Sequence, residues 1–412
     1  MVSIFSRKGP VGAALSLSVT TIGAGILAIP STLEDCGILL VAFLMVVVGV
    51  FTVISIDYLV ICIETLQLRS YEEISGALLG RTFEEIARWM LIVYNVGVAA
   101  GYIVVIGEIF NPIMPIVSEY FTVLSSPTQA MVAIWMFVML PLSCIPAVSS
   151  LRFVSVLAIA ATFFISGVIV YRYFVPVDPD KASNNKKINY FSLSNRTILA
   201  LPILMFSFDC QTLVFQIFAS IAEKTRKGMA KVATLSIFIT GLIYGMVGLF
   251  GYLSHTTHVH GNILTNYDPI RDKVFAVGDV MYSITVITAY VLVLFPCRDA
   301  IFILLYGYSN ATRDSFHAAI SFKDNMIASI LLSVLSVLLA FKAPGLVFII
   351  ALLGGLCSST LCFIYPAAFR LRMHTLGICT ASYQELFVAF AMLFLGFISA
   401  AMGTLMGFSG IS

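Results

Sequence analysis

Long apolar runs, each close to the length that crosses a bilayer, dominate this sequence. A helix needs roughly 20 apolar residues to span the hydrocarbon core. The runs are continuous instead of alternating, which excludes the strands of a membrane barrel, and lipid permits only helices or closed barrels. The sequence therefore predicts an all-α integral membrane protein with eleven transmembrane helices. We place them at residues 11–30, 41–66, 89–117, 129–146, 153–175, 198–221, 230–254, 276–305, 325–341, 346–368 and 383–407.

Composition excludes most functions of soluble proteins. Of the 412 residues, 60% are hydrophobic and 11% are charged, whereas soluble domains are about 25% charged. Nucleic-acid binding and catalysis in water are therefore poor interpretations. The eight cysteines lie in or beside apolar runs and form no CxxC pair, so we expect no disulfide framework. Metalloprotease, nucleophile-elbow and phosphate-loop motifs are absent from the sequence. We predict no enzyme, no cofactor and no resident metal.

The distribution of positive charge predicts an orientation. With the N-terminus in the cytoplasm, fourteen of the 23 lysines and arginines fall in inside segments and eight outside, which agrees with the positive-inside rule. Eleven spans then leave the C-terminus outside or in a lumen. Both long polar loops, 176–197 and 255–275, also fall outside, and the first ends in a glycosylation sequon at Asn195. The sequence does not distinguish between the plasma membrane and the membrane of an acidic organelle such as a lysosome or vacuole.

The eleven spans form two similar halves within one predicted domain, residues 1–412. The first repeat covers 11–175, an outer loop covers 176–197, and the second repeat covers 198–368. The helix at 383–407 is extra. Because each half has five spans, an odd number, the two halves must be inverted relative to each other.

Each half opens with a helix that we expect to break. Two glycines flank an alanine in span one, and each weakens a helix by about 1 kcal/mol; the alternative is that these small residues only permit close packing. Span six carries Asp209 among other polar residues, and an ionised carboxylate in hydrocarbon costs several kcal/mol without a partner. Matching interruptions in two inverted halves point to a midplane substrate site of a secondary transporter.

Five motifs then resemble one family. They are Gly23-Ala24-Gly25-Ile26-Leu27-Ala28-Ile29-Pro30, Phe206-Ser207-Phe208-Asp209-Cys210-Gln211, Phe250-Gly251-Tyr252-Leu253, Leu294-Phe295-Pro296-Cys297-Arg298 and Phe363-Ile364-Tyr365-Pro366-Ala367. In this order they resemble the amino acid/auxin permease family, and within it the sodium-coupled neutral amino acid transporters. The resemblance implies the five-plus-five inverted repeat of the bacterial leucine transporter, plus one C-terminal helix. It also implies alternating-access transport of a small amino acid together with a cation.

The resemblance implies a substrate site at the two breaks. In span one, backbone N–H groups face the substrate carboxylate, and freed carbonyls of both breaks accept the ammonium group. A tyrosine of span three is expected to close the site, with interhelical packing as the alternative. The predicted substrate-binding residues are Thr20, Thr21, Ile22, Gly23, Ala24, Gly25, Tyr102, Phe206, Ser207, Phe208 and Asp209.

The coupling ion is either H⁺ or Na⁺. Span eight offers Ser283, Thr285 and Thr288, where the family places hydroxyls that hold sodium; the alternative is that each hydroxyl bonds its own helix. Val19 stands where the sodium-coupled members carry asparagine, and Asp209 occupies a position that is acidic in proton-coupled branches. We therefore favour protons slightly over sodium and name Asp209, Ser283, Thr285 and Thr288 as the coupling residues.

Two alternatives concern function. The chain could be an amino acid sensor that binds its substrate but transports it poorly, although its short N-terminal segment offers little for a partner to bind. His255, His258 and His260 of the second outer loop could bind zinc or sense pH, but a polar loop needs no such explanation. Beyond the substrate and the lipid bilayer we expect no partner, and the protein is predicted to be a monomer that binds no nucleic acid.

Overall fold

The computed structural model describes residues 9–68, 70–120, 126–145, 152–177, 188–256, 258–306 and 321–409. All regular structure within these ranges is helical. The α-helices are α1 (Pro10–Thr21), α2 (Gly25–Cys36), α3 (Ile38–Leu66), α4 (Tyr71–Leu79), α5 (Arg81–Phe110), α6 (Met114–Tyr120), α7 (Pro127–Ile134), α8 (Leu140–Ser143), α9 (Arg152–Phe174), α10 (Ala200–Ser207), α11 (Val214–Ser220), α12 (Arg226–His255), α13 (Lys273–Tyr306), α14 (Phe322–Lys342), α15 (Leu346–Leu353), α16 (Tyr365–Thr375) and α17 (Tyr383–Ser409).

Eight helical stretches in the described ranges are long and apolar enough to cross a membrane. They are Ile38–Leu66, Arg81–Ile113, Arg196–Ser220, Arg226–His255, Lys273–Leu305, Phe322–Lys342, Leu346–Thr375 and Tyr383–Leu405. Two shorter apolar helices, Pro127–Ser143 and Ala160–Phe174, match predicted spans four and five. The first predicted span is divided between α1 and α2. The predicted all-helical class is therefore confirmed.

Within the described residues, two spans contain wide helical turns of the π type. One is a single turn at Trp135–Met139, and the other is the eleven-residue segment Gly354–Ile364, called here the π segment, which joins α15 to α16. Such turns are rare and often mark functional positions. The sequence analysis gave no sign of either one, because a π turn changes the hydrogen-bond register without changing the apolar pattern.

Residues 189–191, at the end of the first long polar loop, are held against the join of α2 and α3. The N–H groups of Ile38 and Leu39 donate to the carbonyls of Asn189 and Tyr190 at 3.1 and 3.0 Å. Gly37 lies at this crossing with φ of +84°, and a Cβ there would meet the backbone of Phe191 at 2.6 Å. Only glycine satisfies both conditions, so the join of the two helices is fixed by its backbone.

The chain divides into two compact units. Unit one contains Met1–Met90, Ile188–Leu249 and Ile350–Ser412, and unit two contains Leu91–Lys187 and Phe250–Ile349. The predicted division into sequence repeats, 11–175 and 198–368 within one domain, is a different partition and stays a prediction. Unit one contains both helix interruptions, between α1 and α2 and between α10 and α11, which are described below.

Within unit one, glycines bring the π segment into close contact with its neighbours. A Cβ on Gly355 would lie 2.5 Å from the Cα of Gly403 in α17, and a Cβ on Gly354 would overlap the carbonyl oxygen of Pro202 in α10. Small residues let membrane helices approach until their backbones touch. The π segment is therefore packed between α10 and α17.

Within unit two, α13 is tied to its neighbours by buried polar contacts. The Arg298 guanidinium donates to the Ser143 carbonyl at 3.1 Å and to the Ser329 hydroxyl at 2.7 Å. Ser333 of α14 accepts from the Trp135 indole at 2.9 Å and lies 2.6 Å from the Tyr290 hydroxyl. Arg298 thus anchors α13 to α8 and α14.

Candidate functional site

The first interruption lies between α1 and α2. Ile22 has φ of −75° and ψ of 71°, and the Gly23 N–H donates to the Thr21 carbonyl at 2.8 Å. These values define an inverse γ-turn, a tight three-residue turn that leaves the helical path. The chain becomes helical again at Gly25. The first N–H groups of α2 lack partners within their own helix, as at every helix start.

The second interruption lies between α10 and α11. Regular helix stops at Ser207, Cys210 adopts φ of −150° and ψ of 3°, and a 3₁₀ turn at Gln211–Leu213 leads into α11. The Cys210 N–H donates to the side-chain oxygen of Gln211 at 2.9 Å, so a side chain replaces the missing helical acceptor.

The two interruptions touch each other. A Cβ built on Gly25 would lie 2.5 Å from the Ser207 hydroxyl oxygen and 2.9 Å from the Ser207 Cα. The start of α2 therefore rests directly on the end of α10, and Gly25 is required for that approach. Packing was the alternative to a binding role for these glycines, and at Gly25 the packing contact is real.

Tyr244 of α12 joins the two helix ends. Its hydroxyl lies 3.0 Å from the Thr21 carbonyl and 2.7 Å from the Ser207 carbonyl, and its side chain is fully buried. These are the last carbonyls of α1 and α10, where the negative ends of the helix dipoles lie. The ring also meets Phe208 edge to face at 5.3 Å. Sequence reasoning missed Tyr244 because a tyrosine in an apolar run reads as packing.

Asp209 lies in the second interruption and is 8% exposed. Its Oδ2 accepts a hydrogen bond from the Ser358 hydroxyl at 2.9 Å, and the Cys362 thiol also interacts with the carboxyl group. Both partners belong to the π segment. Asp209, which the sequence analysis identified, is therefore held by the π segment, which the sequence analysis did not predict.

A second chain of polar contacts runs beside Asp209. The Ser55 hydroxyl of α3 donates to the Cys362 carbonyl and accepts from the Gln211 amide at 3.3 Å. The Tyr71 hydroxyl of α4 donates to the Leu361 carbonyl. The carbonyls of the π segment thus accept hydrogen bonds from side chains of α3 and α4. These contacts hold the segment next to the second interruption.

The predicted substrate-binding residues fall in both units. Thr21, Gly25 and Ser207 are brought together by the contacts above, and Asp209 follows Ser207 by two residues in the second interruption. Ile22, Ala24, Phe206 and Phe208 are buried around them, Gly23 is half-buried, and the Thr20 side chain lies outside the described residues. Tyr102 belongs to unit two, and its predicted role in closing the site stays a prediction.

The predicted coupling hydroxyls also belong to unit two. Ser283, Thr285 and Thr288 donate to carbonyls four residues earlier, at 2.8, 3.2 and 2.7 Å. This is the own-helix bonding that was the alternative for these residues. A hydroxyl that donates in this way keeps lone pairs that can accept a cation, so the sodium role stays a prediction.

Two acidic residues inside predicted spans, Asp57 and Glu108, and the loop residue His255 also have defined contacts. Asp57 binds Arg226 through two hydrogen bonds of 2.6 Å, and Glu108 accepts from the Asn262 amide at 3.0 Å and the Leu346 N–H at 3.2 Å. His255 packs edge to face on Tyr267, and burial raises the pKa of that loop tyrosine to about 12. Among the described residues, no three His, Cys, Asp or Glu side chains are grouped to hold a metal.

An all-helical membrane chain with two adjoining helix interruptions has the architecture of a transporter rather than an enzyme. The family described as transmembrane amino acid transporter protein matches residues 7–409, and the chain belongs to that family. Membership of the sodium-coupled branch, the narrower part of the resemblance, is not established by this match.

Solved structures show the same fold at low sequence identity. MhsT in complex with L-phenylalanine aligns with a TM-score of 0.59 and 12% identity, covering 97% of this chain and 98% of that one. The inward-facing conformation of Mhp1 aligns at 0.58 and 11%, covering 97% and 91%. A Na⁺-coupled sialic acid symporter in its substrate-bound outward-open state aligns at 0.56 and 12%, covering 96% and 89%. The chain has the leucine transporter fold of these proteins.

Proposed function

We propose that this protein is a secondary active transporter that moves a small, neutral amino acid by alternating access, together with a cation. The substrate binds in unit one at the paired interruptions. The observation that carries this proposal is the Tyr244 hydroxyl, which contacts the terminal carbonyls of both interrupted helices beside Asp209. Motion of either helix end changes this contact, so substrate binding there is linked to helix position.

The chemistry of the interruptions suits a zwitterion. The α-carboxylate of the substrate meets the free N–H groups and positive dipole end of α2. Its ammonium group meets the carbonyls of Thr21 and Ser207 and the carboxyl group of Asp209. Gly23 at the turn has no side chain that would block the main-chain part of an amino acid. MhsT, which shares the fold, was solved with an amino acid bound.

The coupling ion is proposed to be the proton, with sodium as the alternative. Asp209 titrates in the second interruption, where substrate binding and proton binding influence each other reciprocally. Sodium coupling has its own support, since the sialic acid symporter of this fold is Na⁺-coupled. Val19 in place of asparagine removes one sodium-type ligand from span one.

Purified protein in liposomes tests the function. A counterflow screen of the twenty amino acids identifies the substrate, and separately imposed H⁺ and Na⁺ gradients then identify the driving ion. We expect accumulation driven by an inward H⁺ gradient. Binding without accumulation under either gradient would support the amino acid sensor instead.

Asp209→Asn tests the site. The amide keeps hydrogen-bonding capacity but cannot titrate, so we expect substrate exchange to persist while pH-driven accumulation is lost. Asp268→Asn, at an exposed loop residue paired with Arg271, is the matched control and should behave as wild type. Wild-type uptake that is steeply sodium-dependent and indifferent to pH would contradict the proton role.

A further inference from the structure

Asp279 of α13 is a buried carboxyl group in unit two that the proposed mechanism does not use. It is 7% exposed, and its Oδ1 is buried without a hydrogen-bond partner. Among the carboxylates that the structure describes, Asp279 alone has a buried oxygen in this state. An acidic side chain inside a spanning helix marks a functional position by default.

The groups that could neutralise Asp279 are committed elsewhere. Arg172 of α9 binds Asp272 through two hydrogen bonds of 2.5 and 2.6 Å. Asp272 precedes Asp279 by seven residues, two helical turns, so both point to the same side. The Ser283 hydroxyl, one turn further along, donates to the backbone carbonyl of Asp279 at 2.8 Å instead of to its carboxyl group.

The other charged side chains described near α13 do not offset a negative charge on Asp279. The elements packed most closely on α13 are α9, α14, α8 and the π turn Trp135–Met139, and α5 also contacts it through Ile92. Beyond Arg172, the ionisable side chains described on α9 are Tyr171 and Tyr173. The charges of α14 stand at its two ends, at Lys323, Asp324 and Lys342. Asp272 is the charged group acting on Asp279, and its negative charge opposes a second one nearby.

We propose that Asp279 is a proton-binding site and carries its proton in the state described here. A buried carboxylate without a counter-charge costs several kcal/mol, whereas the neutral acid avoids most of that cost. Asp279 lies six residues past the start of α13, about 9 Å along the helix from the loop that ends at Asp272. That loop is on the outside in the predicted orientation, so the proton is taken up from the outer solution.

Asp279 would be a second titrating group beside Asp209. Protonation of Asp279 can be tested without assuming transport, and only its effect on transport rests on the proposed function. Infrared difference spectroscopy of the purified protein measures it directly, through the carbonyl stretching band of a neutral carboxylic acid. We expect this band near neutral pH in the wild type and a loss of its Asp279 component in Asp279→Asn. Asp268→Asn, at an exposed loop residue paired with Arg271, is the control and should keep the component. A wild-type band that Asp279→Asn leaves unchanged overturns the proposal.

Stability gives a second readout that does not require transport. An amide is isosteric with a neutral acid, so Asp279→Asn should retain or raise the thermal midpoint at pH 7, whereas Asp272→Asn should lower it. A variant that unfolds or aggregates would mean that Asp279 is ionised and paired, and would overturn the proposal. In liposomes, Asp279→Asn should keep exchange and show a weaker response to an H⁺ gradient. An unchanged response to that gradient would count against a role in coupling.

Discussion

A single hydroxyl proton serves two helix ends in unit one. Tyr244 contacts the terminal carbonyls of α1 and α10, yet it can donate to only one of them at a time. The other carbonyl is then available to a stronger donor. A substrate ammonium group is such a donor, because hydrogen bonds from charged groups are roughly twice as strong as neutral ones.

Tyr244→Phe removes this donor without changing the ring. Leaving a buried carbonyl unsatisfied costs about 1–3 kcal/mol, so we expect a lower thermal midpoint and weaker stabilisation by substrate. Tyr365→Phe is the control, because it removes an equivalent bond to the Phe83 carbonyl at 3.0 Å. It should lose stability and keep the full substrate-induced shift. Equal substrate-induced shifts of the thermal midpoint in the two variants would show that Tyr244 is not part of the substrate site.

Ser358→Ala removes the hydroxyl that donates to Asp209. A hydrogen bond to a charged group contributes about 1.5–3 kcal/mol, so we expect substrate affinity in counterflow to fall by about tenfold or more. Ser359→Ala is the neighbouring control, since its hydroxyl donates to the Gly355 carbonyl of its own segment. Affinity that falls equally in both variants would indicate general damage to the π segment.

At the scale of elements, α2 and α10 meet at a contact that admits no side chain. Gly25→Ala places a methyl group within 2.9 Å of the Ser207 backbone, and overpacking typically costs about 1–3 kcal/mol. We expect a lower thermal midpoint together with lost substrate binding, because the interruptions separate. Gly241→Ala in α12 has no atom within 4 Å of the added Cβ, and it should be neutral or stabilising. Normal binding by Gly25→Ala would show that the contact is not coupled to the site.

The interruptions themselves were predictable from the sequence, and their partners were not. Glycines and an acid inside apolar runs conflict with an uninterrupted lipid-facing helix, so residues near 23 and 209 stand out. Tyr244 and Ser358 acquire their roles from contacts with residues far away in sequence. A buried tyrosine or serine in a spanning helix is equally compatible with plain packing. The π segment was hidden for the same reason, since its apolar pattern is that of an ordinary helix.

At the scale of the molecule, one end of unit one is tied by a cluster of ion pairs. Glu385 of α17 binds Arg370 of α16 at 2.8 Å and lies 3.6 Å from Arg226 of α12, which in turn binds Asp57 of α3. Arg370 is 2% exposed and also donates to two carbonyls, at Cys379 and Thr380. Four helices therefore share this cluster.

The two arginines of this cluster should differ in their contribution to stability. Arg370→Ala removes a buried guanidinium that binds Glu385 and donates to the Cys379 and Thr380 carbonyls, so we expect the free energy of unfolding to fall by at least about 2 kcal/mol. Arg226 is 46% exposed, and exposed pairs contribute about 0.2–1 kcal/mol. Thermal unfolding of the two alanine variants in one detergent gives the comparison. A larger loss for Arg226→Ala would contradict this assignment.

The predicted orientation has a direct test. Epitope tags inserted at 268–271 and at 377–380 should lie on opposite sides of the membrane, since one loop is predicted outside and the other inside. Antibody binding to sealed cells or vesicles, before and after permeabilisation, reports the side of each tag. Tags on the same side would contradict the predicted number of spans between them.

The contact between Gly25 and Ser207 also sets limits on how related sequences can diverge. A Cβ at position 25 would strike the Cα of residue 207 as well as its side chain, so a smaller residue at 207 cannot compensate for a larger one at 25. Homologues that keep this arrangement should therefore carry glycine at position 25 whatever their substrate. Position 207 should vary only among small residues. Substitutions that change substrate selectivity should therefore occur at the other positions around the turn.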